Sequence, residues 1–284
     1  MIEVQDLRFS YPGADAAAVH DVTFTIPSGT IYGFLGPSGA GKSTVQNVLI
    51  RLLPLKEGAV RYDGKDLASL DRSFFRRVGV SFEHPNLFPR LTGLENLTCY
   101  AGLYGGAARD PKQLLERFGL AAHMDKKAED YSKGMKQRLV LARSLLHAPD
   151  FLFLDEPTSG LDPTTTRDVL DVIREERDRG ATLFITTHNM GVADTLCDNL
   201  AFLHGGRIVA EGSPRDLKLE WGERAVRVER RKEGGHESRR YFLDKPEDRA
   251  ELQQVVASGD VETLHSEEAT LEDIFVRITG RGLA

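Results

Sequence analysis

The chain has 284 residues, of which 37 are Lys or Arg and 43 are Asp or Glu, so its formal net charge is −6. Hydrophobic residues make up 40% and charged residues 28%, which is usual for globular proteins and excludes a disordered chain. The acidic balance argues against a nucleic-acid partner, because such binding needs a basic face. Apolar runs are far shorter than the roughly 18 residues of a membrane-spanning helix. We expect a cytosolic protein whose two cysteines, Cys99 and Cys197, are buried as small hydrophobic residues.

Three strands are predicted at the start of the chain. Apolar and polar residues alternate over 2–9 and 22–26, as in strands with one buried face. Residues 31–35 are nearly all apolar and stop at Gly36, which is typical of a buried strand. A helix is then predicted over 42–53, and the proline that follows ends it.

A glycine-rich segment joins the third strand to this helix and matches G-x-x-x-x-G-K-[ST] in full. Such a loop turns its backbone N–H groups towards phosphates, and the helix N-terminus adds partial positive charge. Lys42 can then reach the β and γ phosphates of a nucleotide, while the Ser43 hydroxyl can ligate Mg²⁺. A merely flexible turn would leave the Lys-Ser pair unexplained. The predicted nucleotide-binding residues are Gly36, Pro37, Ser38, Gly39, Ala40, Gly41, Lys42, Ser43 and Thr44.

Two adjacent carboxylates, Asp155 and Glu156, follow the apolar strand predicted over 151–154. Open α/β sheets bind ligands at the carboxyl ends of their parallel strands, so Asp155 can hold Mg²⁺ opposite Ser43. Neighbouring residues point to opposite sides, which leaves Glu156 to face the γ-phosphate and to orient or deprotonate a water. Without the phosphate-binding loop, two solvated carboxylates would be the ordinary interpretation.

The other elements predicted in the first 211 residues alternate between helix and strand. Apolar spacing predicts helices over 136–147 and 164–179, a strand over 182–187 and a hairpin over 199–210. Strands that alternate with helices imply an α/β fold with a parallel sheet.

A change in charge density marks a domain boundary near residues 211–214. Residues 212–284 hold 13 basic and 16 acidic side chains, about 40% of the segment, against about 24% of residues 1–211. We therefore predict two domains, 1–211 and 212–284, the second a small α+β domain. Its predicted elements are strands over 225–231 and 240–243, helices over 246–257 and 271–278, and a strand between the helices.

With these motifs placed, the first domain resembles the nucleotide-binding subunit of an ABC transporter. Residues 131–138 align with the family signature LSGGQxQR, and residues 159–162 match its D-loop. His188 is similar to the family's switch histidine, which also follows a strand. Tyr11 resembles the aromatic residue that stacks on adenine, and Glu83 stands where the family has its Q-loop glutamine.

The resemblance implies a P-loop NTPase of the ABC ATPase type, with a mixed sheet core, an antiparallel β subdomain and a helical subdomain. It implies that the protein binds ATP and Mg²⁺ and hydrolyses ATP. The implied catalytic residues are Lys42, Glu156 and His188. The implied Mg²⁺ ligands are Ser43 and Asp155, with Glu83 as a further candidate.

The resemblance also implies partners. Two copies, or this chain and a similar one, would close over two ATP molecules, and Ser132, Gly134 and Asp162 would contact the ATP held by the opposite subunit. A transmembrane permease would be a separate chain, and this protein would lie on the cytoplasmic face of the membrane.

Three residues depart from the family pattern: Lys133 replaces the first signature glycine, Met135 the signature glutamine, and Glu83 the Q-loop glutamine. Ser-Lys-Gly-Met is similar to the export subunits of the daunorubicin-resistance type, and so is the segment 270–280, which implies export. A glutamate offers hard oxygens to Mg²⁺ but places a charge beside a triphosphate. Glu83 is therefore expected to ligate Mg²⁺, to be protonated, to turn towards the membrane partner, or to point into solvent.

Two other classes of protein share part of this pattern. A soluble ABC ATPase is the main alternative, although the chain has one motif set and no long heptad insertion. A GTPase or small-molecule kinase would share the phosphate-binding loop. The sequence contains no Asn-Lys-x-Asp guanine motif, and the signature segment would then be unexplained.

Overall fold

The computed structural model describes residues 1–14, 16–232 and 235–280. The chain divides into two compact units, Met1–Glu211 and Gly212–Ala284. Within the described ranges, no helix is both long and apolar enough to cross a bilayer.

The strands are β1 (Ile2–Phe9), β2 (Val19–Ile26), β3 (Ile31–Leu35), β4 (Glu57–Tyr62), β5 (Lys65–Asp66), β6 (Val78–Ser81), β7 (Phe151–Asp155), β8 (Thr182–Thr187), β9 (Asn199–His204), β10 (Arg207–Gly212), β11 (Ala225–Lys232), β12 (Gly235–Phe242) and β13 (Val261–Glu267). The α-helices are α1 (Lys42–Leu49), α2 (Gly93–Ala101), α3 (Pro111–Arg117), α4 (Lys133–Ser144), α5 (Pro163–Asp178), α6 (Met190–Leu196), α7 (Pro214–Trp221), α8 (Pro246–Ala257) and α9 (Leu271–Thr279).

The first unit is built on a six-stranded sheet with the order β10-β9-β3-β8-β7-β6. Strands β6, β7, β8, β3 and β9 run parallel. Strands β3, β7 and β8 are buried along their whole length. Burial on both faces explains why their apolar residues run continuously instead of alternating. The predicted α/β fold with a parallel sheet is confirmed.

A second, antiparallel sheet with the order β2-β1-β4-β5 shares a core with this one. Its inner face carries the alternating apolar residues of β1 and β2. Phe24 of β2 lies with its ring centroid 5.0 Å from that of Phe34 and 5.3 Å from that of Tyr32, both on β3. Aromatic packing therefore fixes the strand that leads into the phosphate-binding loop.

Helices α2, α3 and α4 pack against one another in a helical region of the same unit. The turn that leads into α2 is held by Asn96, whose fully buried amide donates to the carbonyl oxygens of Phe88, Leu91 and Thr92. Thr92 and Glu95 form a capping box at the start of α2. Helices α2 and α3 lie in the chain between the loop after β6 and α4, the helix that carries the signature.

The second unit has a three-stranded antiparallel sheet with the order β12-β11-β13. Val226, Val228 and Tyr241 of the sheet form a small core with Val255 of α8. Helices α7 and α9 pack against each other. Ser213 caps α7 and Pro214 is its first residue, so the proline that marked the predicted boundary begins a helix.

Two helix ends differ from the predicted ones because of local backbone conformation and capping. The helix predicted to reach residue 53 ends at Leu49, because Arg51 is left-handed (φ 62°) and the next two N–H groups bond to the Asn47 carbonyl. Helix α4 starts earlier than predicted, because Ser132 caps it. The prediction that both cysteines are buried is wrong for Cys99, which is exposed; Cys197 is buried.

Candidate functional site

The glycine-rich loop between β3 and α1 requires small residues. A Cβ at Gly36 would lie 2.2 Å from the carbonyl oxygen of Leu203, and Gly41 has φ +107°. Lys42 crosses the loop, and its ammonium donates to the carbonyl oxygens of Gly36 (2.6 Å) and Pro37 (3.0 Å). The loop therefore folds around the ammonium of Lys42.

Lys42 is 9% exposed, and burial lowers the pKa of its ammonium. The negative charges of Glu156, Asp155 and Glu83 oppose this shift. All three predicted carboxylates therefore act electrostatically on the phosphate-binding lysine. Such an excess of negative charge suits a site that also holds a divalent cation.

Ser43 and Asp155 meet at the carboxyl edge of the sheet. The Ser43 hydroxyl lies 3.2 Å from Asp155 Oδ2, and the Asp155 carboxylate also accepts a hydrogen bond from the Thr186 hydroxyl. One hydroxyl and one carboxylate are hard oxygen donors, the set that Mg²⁺ takes from a protein when substrate phosphates complete its coordination. No cluster of three or more His, Cys, Asp or Glu ligands occurs in the part of the chain that the structure describes. The residues present fit a Mg²⁺ shared with a nucleotide.

Glu156 has a strained backbone and a carboxylate that neighbouring groups hold in place. Its φ is +48°, which is uncommon for a residue with a side chain and marks sites where neighbours impose the conformation. Oε1 accepts from the backbone N–H of His188 (2.9 Å) and lies 2.8 Å from the His188 ring Nδ1. Oε2 accepts from the Thr187 hydroxyl (3.1 Å). Glu156 and His188, predicted from separate motifs, are brought into direct contact.

Tyr11 lies beside the same loop. Its hydroxyl is 3.1 Å from Thr44 Oγ1, and its ring meets that of Phe9 edge-on with the centroids 5.0 Å apart. The side chain is 43% exposed. An aromatic ring that is partly exposed next to a phosphate-binding loop can stack on a nucleotide base.

The signature and the D-loop of the chain pack on each other. A Cβ on Gly134 would lie 3.3 Å from Leu161 Cδ2. Ser132 caps α4 and accepts from the Met135 N–H (3.2 Å). Asp162 caps α5, and hydrogen bonds, chiefly from the hydroxyl of a threonine in the first turn, lower the pKa of its carboxyl. Among the residues described, these capping bonds are local, and none of them reaches the phosphate-binding loop.

Glu83 is exposed in the loop after β6. Burial lowers the pKa of Lys42, and the negative charge of Glu83 is the weakest of the three that oppose this shift, so its carboxylate lies within electrostatic reach of the site. It makes no hydrogen bond or ion pair with any residue in the described ranges. The side chain is therefore close to the site without being fixed there by another side chain.

Thr186 and Thr187 are neighbours of the site that sequence reasoning missed. Both are fully buried, and they donate to Asp155 and Glu156 respectively. The signal was the parallel register, which pairs Asp155 with Thr186 across adjacent strands. Two threonines at the end of a strand gain significance only when the neighbouring strand is known.

The comparisons with known proteins agree with this geometry. The family model described as "ABC transporter" matches residues 19–159. A fluoroquinolones export ATP-binding protein of Mycobacterium tuberculosis (strain H37Rv) is 48% identical over 284 residues, which cover all of this chain and 94% of that protein. The chain belongs to the ABC transporter ATP-binding family.

Other members of the ABC family are also similar to this chain. The daunorubicin/doxorubicin resistance ATP-binding protein DrrA of Streptomyces peucetius is 38% identical over 231 residues, covering 80% of this chain and 69% of DrrA. An ATP-binding subunit of an ABC transporter is 31% identical with a TM-score of 0.70, covering 78% of this chain and 92% of that one. A dimeric cassette bound to ADP and Pi is 28% identical with a TM-score of 0.68, covering 75% and 98%. The predicted ABC ATPase fold is confirmed, and so is the prediction that this ABC ATPase binds and hydrolyses ATP.

Proposed function

We propose that this ABC ATPase works as a dimer that hydrolyses ATP to drive export through a separate membrane-spanning permease. The observation that carries the proposal is the contact between Glu156 and His188 at the edge of the sheet where Ser43 also meets Asp155. Relatives named for fluoroquinolones export and for daunorubicin/doxorubicin resistance support export of a drug-like or lipid-like molecule.

The phosphate-binding loop holds the triphosphate in this proposal. Backbone N–H groups of the loop and the ammonium of Lys42 bind the β and γ phosphates. Ser43 and Asp155 would hold Mg²⁺ through their oxygens. When bound, this cation would neutralise charge on the β and γ phosphates. Tyr11 stacks on the base.

Glu156 acts on the attacking water. Hydrogen bonds from Thr187 and from the backbone N–H of His188 orient its carboxylate. From this position it accepts the proton of the water that attacks the γ-phosphate. The largely exposed ring of His188 contacts Glu156 through Nδ1, which leaves its other nitrogen free to contact the γ-phosphate.

The second half of each site comes from the opposite subunit. Ser132 accepts a backbone hydrogen bond but keeps its own O–H to donate. Together with the N–H groups near Gly134 at the start of α4, it can bind the γ-phosphate of ATP held by the other copy. Asp162 lies in the segment that packs on the signature and completes this surface. The dimeric cassette among the solved relatives supports such an arrangement, whether the two subunits are identical or not.

Glu83 contributes to the metal site in this proposal. Its carboxylate acts on Lys42 but has no partner among the residues described, so it is available as a Mg²⁺ ligand when nucleotide is bound. The permease binds the subunit at the cytoplasmic face of the membrane, and export depends on that contact.

Co-expression with a multi-span protein encoded beside this chain tests the proposal. We expect the ATPase to pellet with membranes only when that protein is present, and to lower the cellular accumulation of a fluorescent anthracycline. Glu156→Gln should still pellet but should not lower accumulation. An ATPase that hydrolyses ATP normally and stays in the supernatant in every combination would instead identify a soluble ABC ATPase.

A further inference from the structure

Arg143 is a buried cation with no role in the chemistry proposed above. It lies in the last turn of α4 and is 8% exposed. Burial lowers the pKa of its guanidinium, and no carboxylate of the described ranges pairs with it. A buried charge without a counter-ion depends on its hydrogen bonds.

Among the described residues, Arg143 makes two short hydrogen bonds to one loop residue and a longer one (3.4 Å) to the Tyr100 hydroxyl. The guanidinium donates to the backbone carbonyl of Asn86 (2.7 Å) and to Asn86 Oδ1 (2.6 Å). It also lies over the ring of Tyr100, with its carbon 4.8 Å from the ring centroid. Because the guanidinium is planar, these two bonds fix both the main chain and the side chain of Asn86.

Asn86 follows Glu83 by three residues, a span of at most about 10 Å. On its other side, Glu83 closely follows Ser81, which ends β6 and pairs with Leu154 in the sheet. Glu83 therefore sits in a short loop whose first end is fixed by the sheet and whose second end is fixed by Arg143. Moving Asn86 would move Glu83 relative to the sheet.

Helix α4 carries the signature at its other end. Ser132 caps its N-terminus, and Arg143 lies in its last turn. A regular helix of this length moves as one body, because each turn is bonded to the next. A displacement of Ser132 is thereby passed through Arg143 to Asn86. If the loop moved alone, the guanidinium would lose its two shorter hydrogen bonds in a buried setting and keep only the longer one to the Tyr100 hydroxyl.

We propose that Arg143 is a positioning residue that couples the Glu83 loop to the signature helix. Glu83 then takes its working position only when α4 is in place. The inference rests on the proposed roles of Glu83 and Ser132 in hydrolysis.

A double-mutant cycle on the full-length chain tests this coupling by phosphate release. Arg143→Lys keeps the charge but loses the paired donors. We expect kcat to fall about tenfold, as when a group in an active site is misplaced, with less than about twofold change in KM for ATP. In the Glu83→Ala background the same substitution should change kcat by less than about twofold, because Arg143 acts through Glu83. Equal falls in both backgrounds would overturn the coupling.

Rescue at Asn86 separates this inference from the proposed role of Glu83. Asn86→Asp keeps an oxygen acceptor and adds a carboxylate, which can pair with the ammonium introduced by Arg143→Lys. The double variant should return kcat to within about threefold of wild type. Rescue together with a normal rate for Glu83→Ala would contradict the proposed role of Glu83 but would still show that the bonds between Arg143 and Asn86 position the loop. A slow Glu83→Ala variant without rescue by Asn86→Asp would overturn the positioning role of Arg143.

Arg109→Lys is the matched control. Arg109 is also a partly buried arginine of the first unit, and it bonds to Glu176 through two hydrogen bonds. Both substitutions should lower the thermal unfolding midpoint, but only Arg143→Lys should lower kcat at a temperature where both variants are folded. The same fall in kcat for Arg109→Lys would overturn the proposal.

Discussion

The two units of the chain use charge in opposite ways. In the first, Lys42, Asp155 and Glu156 are each less than a tenth exposed and act on one another at one edge of a buried sheet. In the second, charges form ion pairs on a small sheet, for example Arg227 with Glu267, where the arginine is half-exposed. The difference in charge density predicts a domain boundary in the sequence, but it does not predict which unit contains the nucleotide-binding site.

The energetic reason lies in the solvent. An exposed ion pair contributes little, because water solvates both charges and salt screens them. A buried carboxylate is unstable unless hydrogen bonds satisfy it, and Asp155 and Glu156 receive theirs from hydroxyl and N–H donors arranged around them. Buried charges that need several hydrogen bonds are therefore few and lie at the site, whereas the many exposed charges lie on a solvated surface.

The largest effect is expected at Glu156. Glu156→Gln keeps the shape of the side chain and an acceptor for Thr187 but removes the base, so phosphate release should fall about 10²–10⁴-fold. ATP binding should survive, and ATP should trap a dimer visible by size-exclusion chromatography. Near-normal turnover would rule out the proposed role.

Glu176→Gln provides the control for that experiment. Glu176 is also a buried carboxylate of the first unit, but its partners are Arg109 and Arg179 instead of residues of the site. The variant should lose thermal stability while phosphate release by the folded protein stays nearly unchanged. If both variants lose activity equally, then loss of a buried charge, and not loss of a base, explains the result.

Fully buried strands and the motifs next to them were predictable from the sequence. Residues 31–35 and 182–187 match β3 and β8, because short continuous apolar runs between turn residues are typical of buried parallel strands. The contacts of Arg143 could not be predicted. The chain between β6 and α4 forms short helices and 3₁₀ turns without a long apolar period, so nothing local placed Asn86 beside Arg143.

The next largest loss of ATPase activity is expected from blocking the signature segment at Ser132. Ser132→Arg and Lys42→Ala should each abolish cooperative turnover alone, the first by blocking the signature and the second by removing the phosphate-binding cation. A mixture can form heterodimers with one site whose two halves are both intact. We expect clear recovery of ATPase activity in the mixture. No recovery, with heterodimers demonstrated by differential tags, would show that the sites are not shared between subunits.

A smaller effect is expected at Glu83, whose charge is near Lys42 but unpaired among the described residues. Glu83→Gln keeps one oxygen and should weaken Mg²⁺ dependence modestly, while metal-free ATP binding stays equal or becomes tighter because a negative charge is removed. Glu83→Ala should lower hydrolysis more than binding. Identical Mg²⁺ titrations for wild type and both variants would exclude the metal role and favour contact with the permease.

The smallest effect on nucleotide binding is expected from removing the highly charged second unit. A stop after Gly212 keeps β10 whole, including Glu211, which accepts a 2.6 Å hydrogen bond from the buried Tyr32 on β3. Every phosphate, metal and base contact proposed above comes from residues before 189, so ATP affinity measured by titration calorimetry should change less than about twofold. A second stop, after Arg207, removes Glu211 and leaves the Tyr32 hydroxyl without its acceptor, so this shorter chain should unfold at a lower temperature. A folded chain ending at Gly212 that no longer binds ATP would show that the second unit takes part in nucleotide binding, whereas loss of dimerisation or transport alone would not.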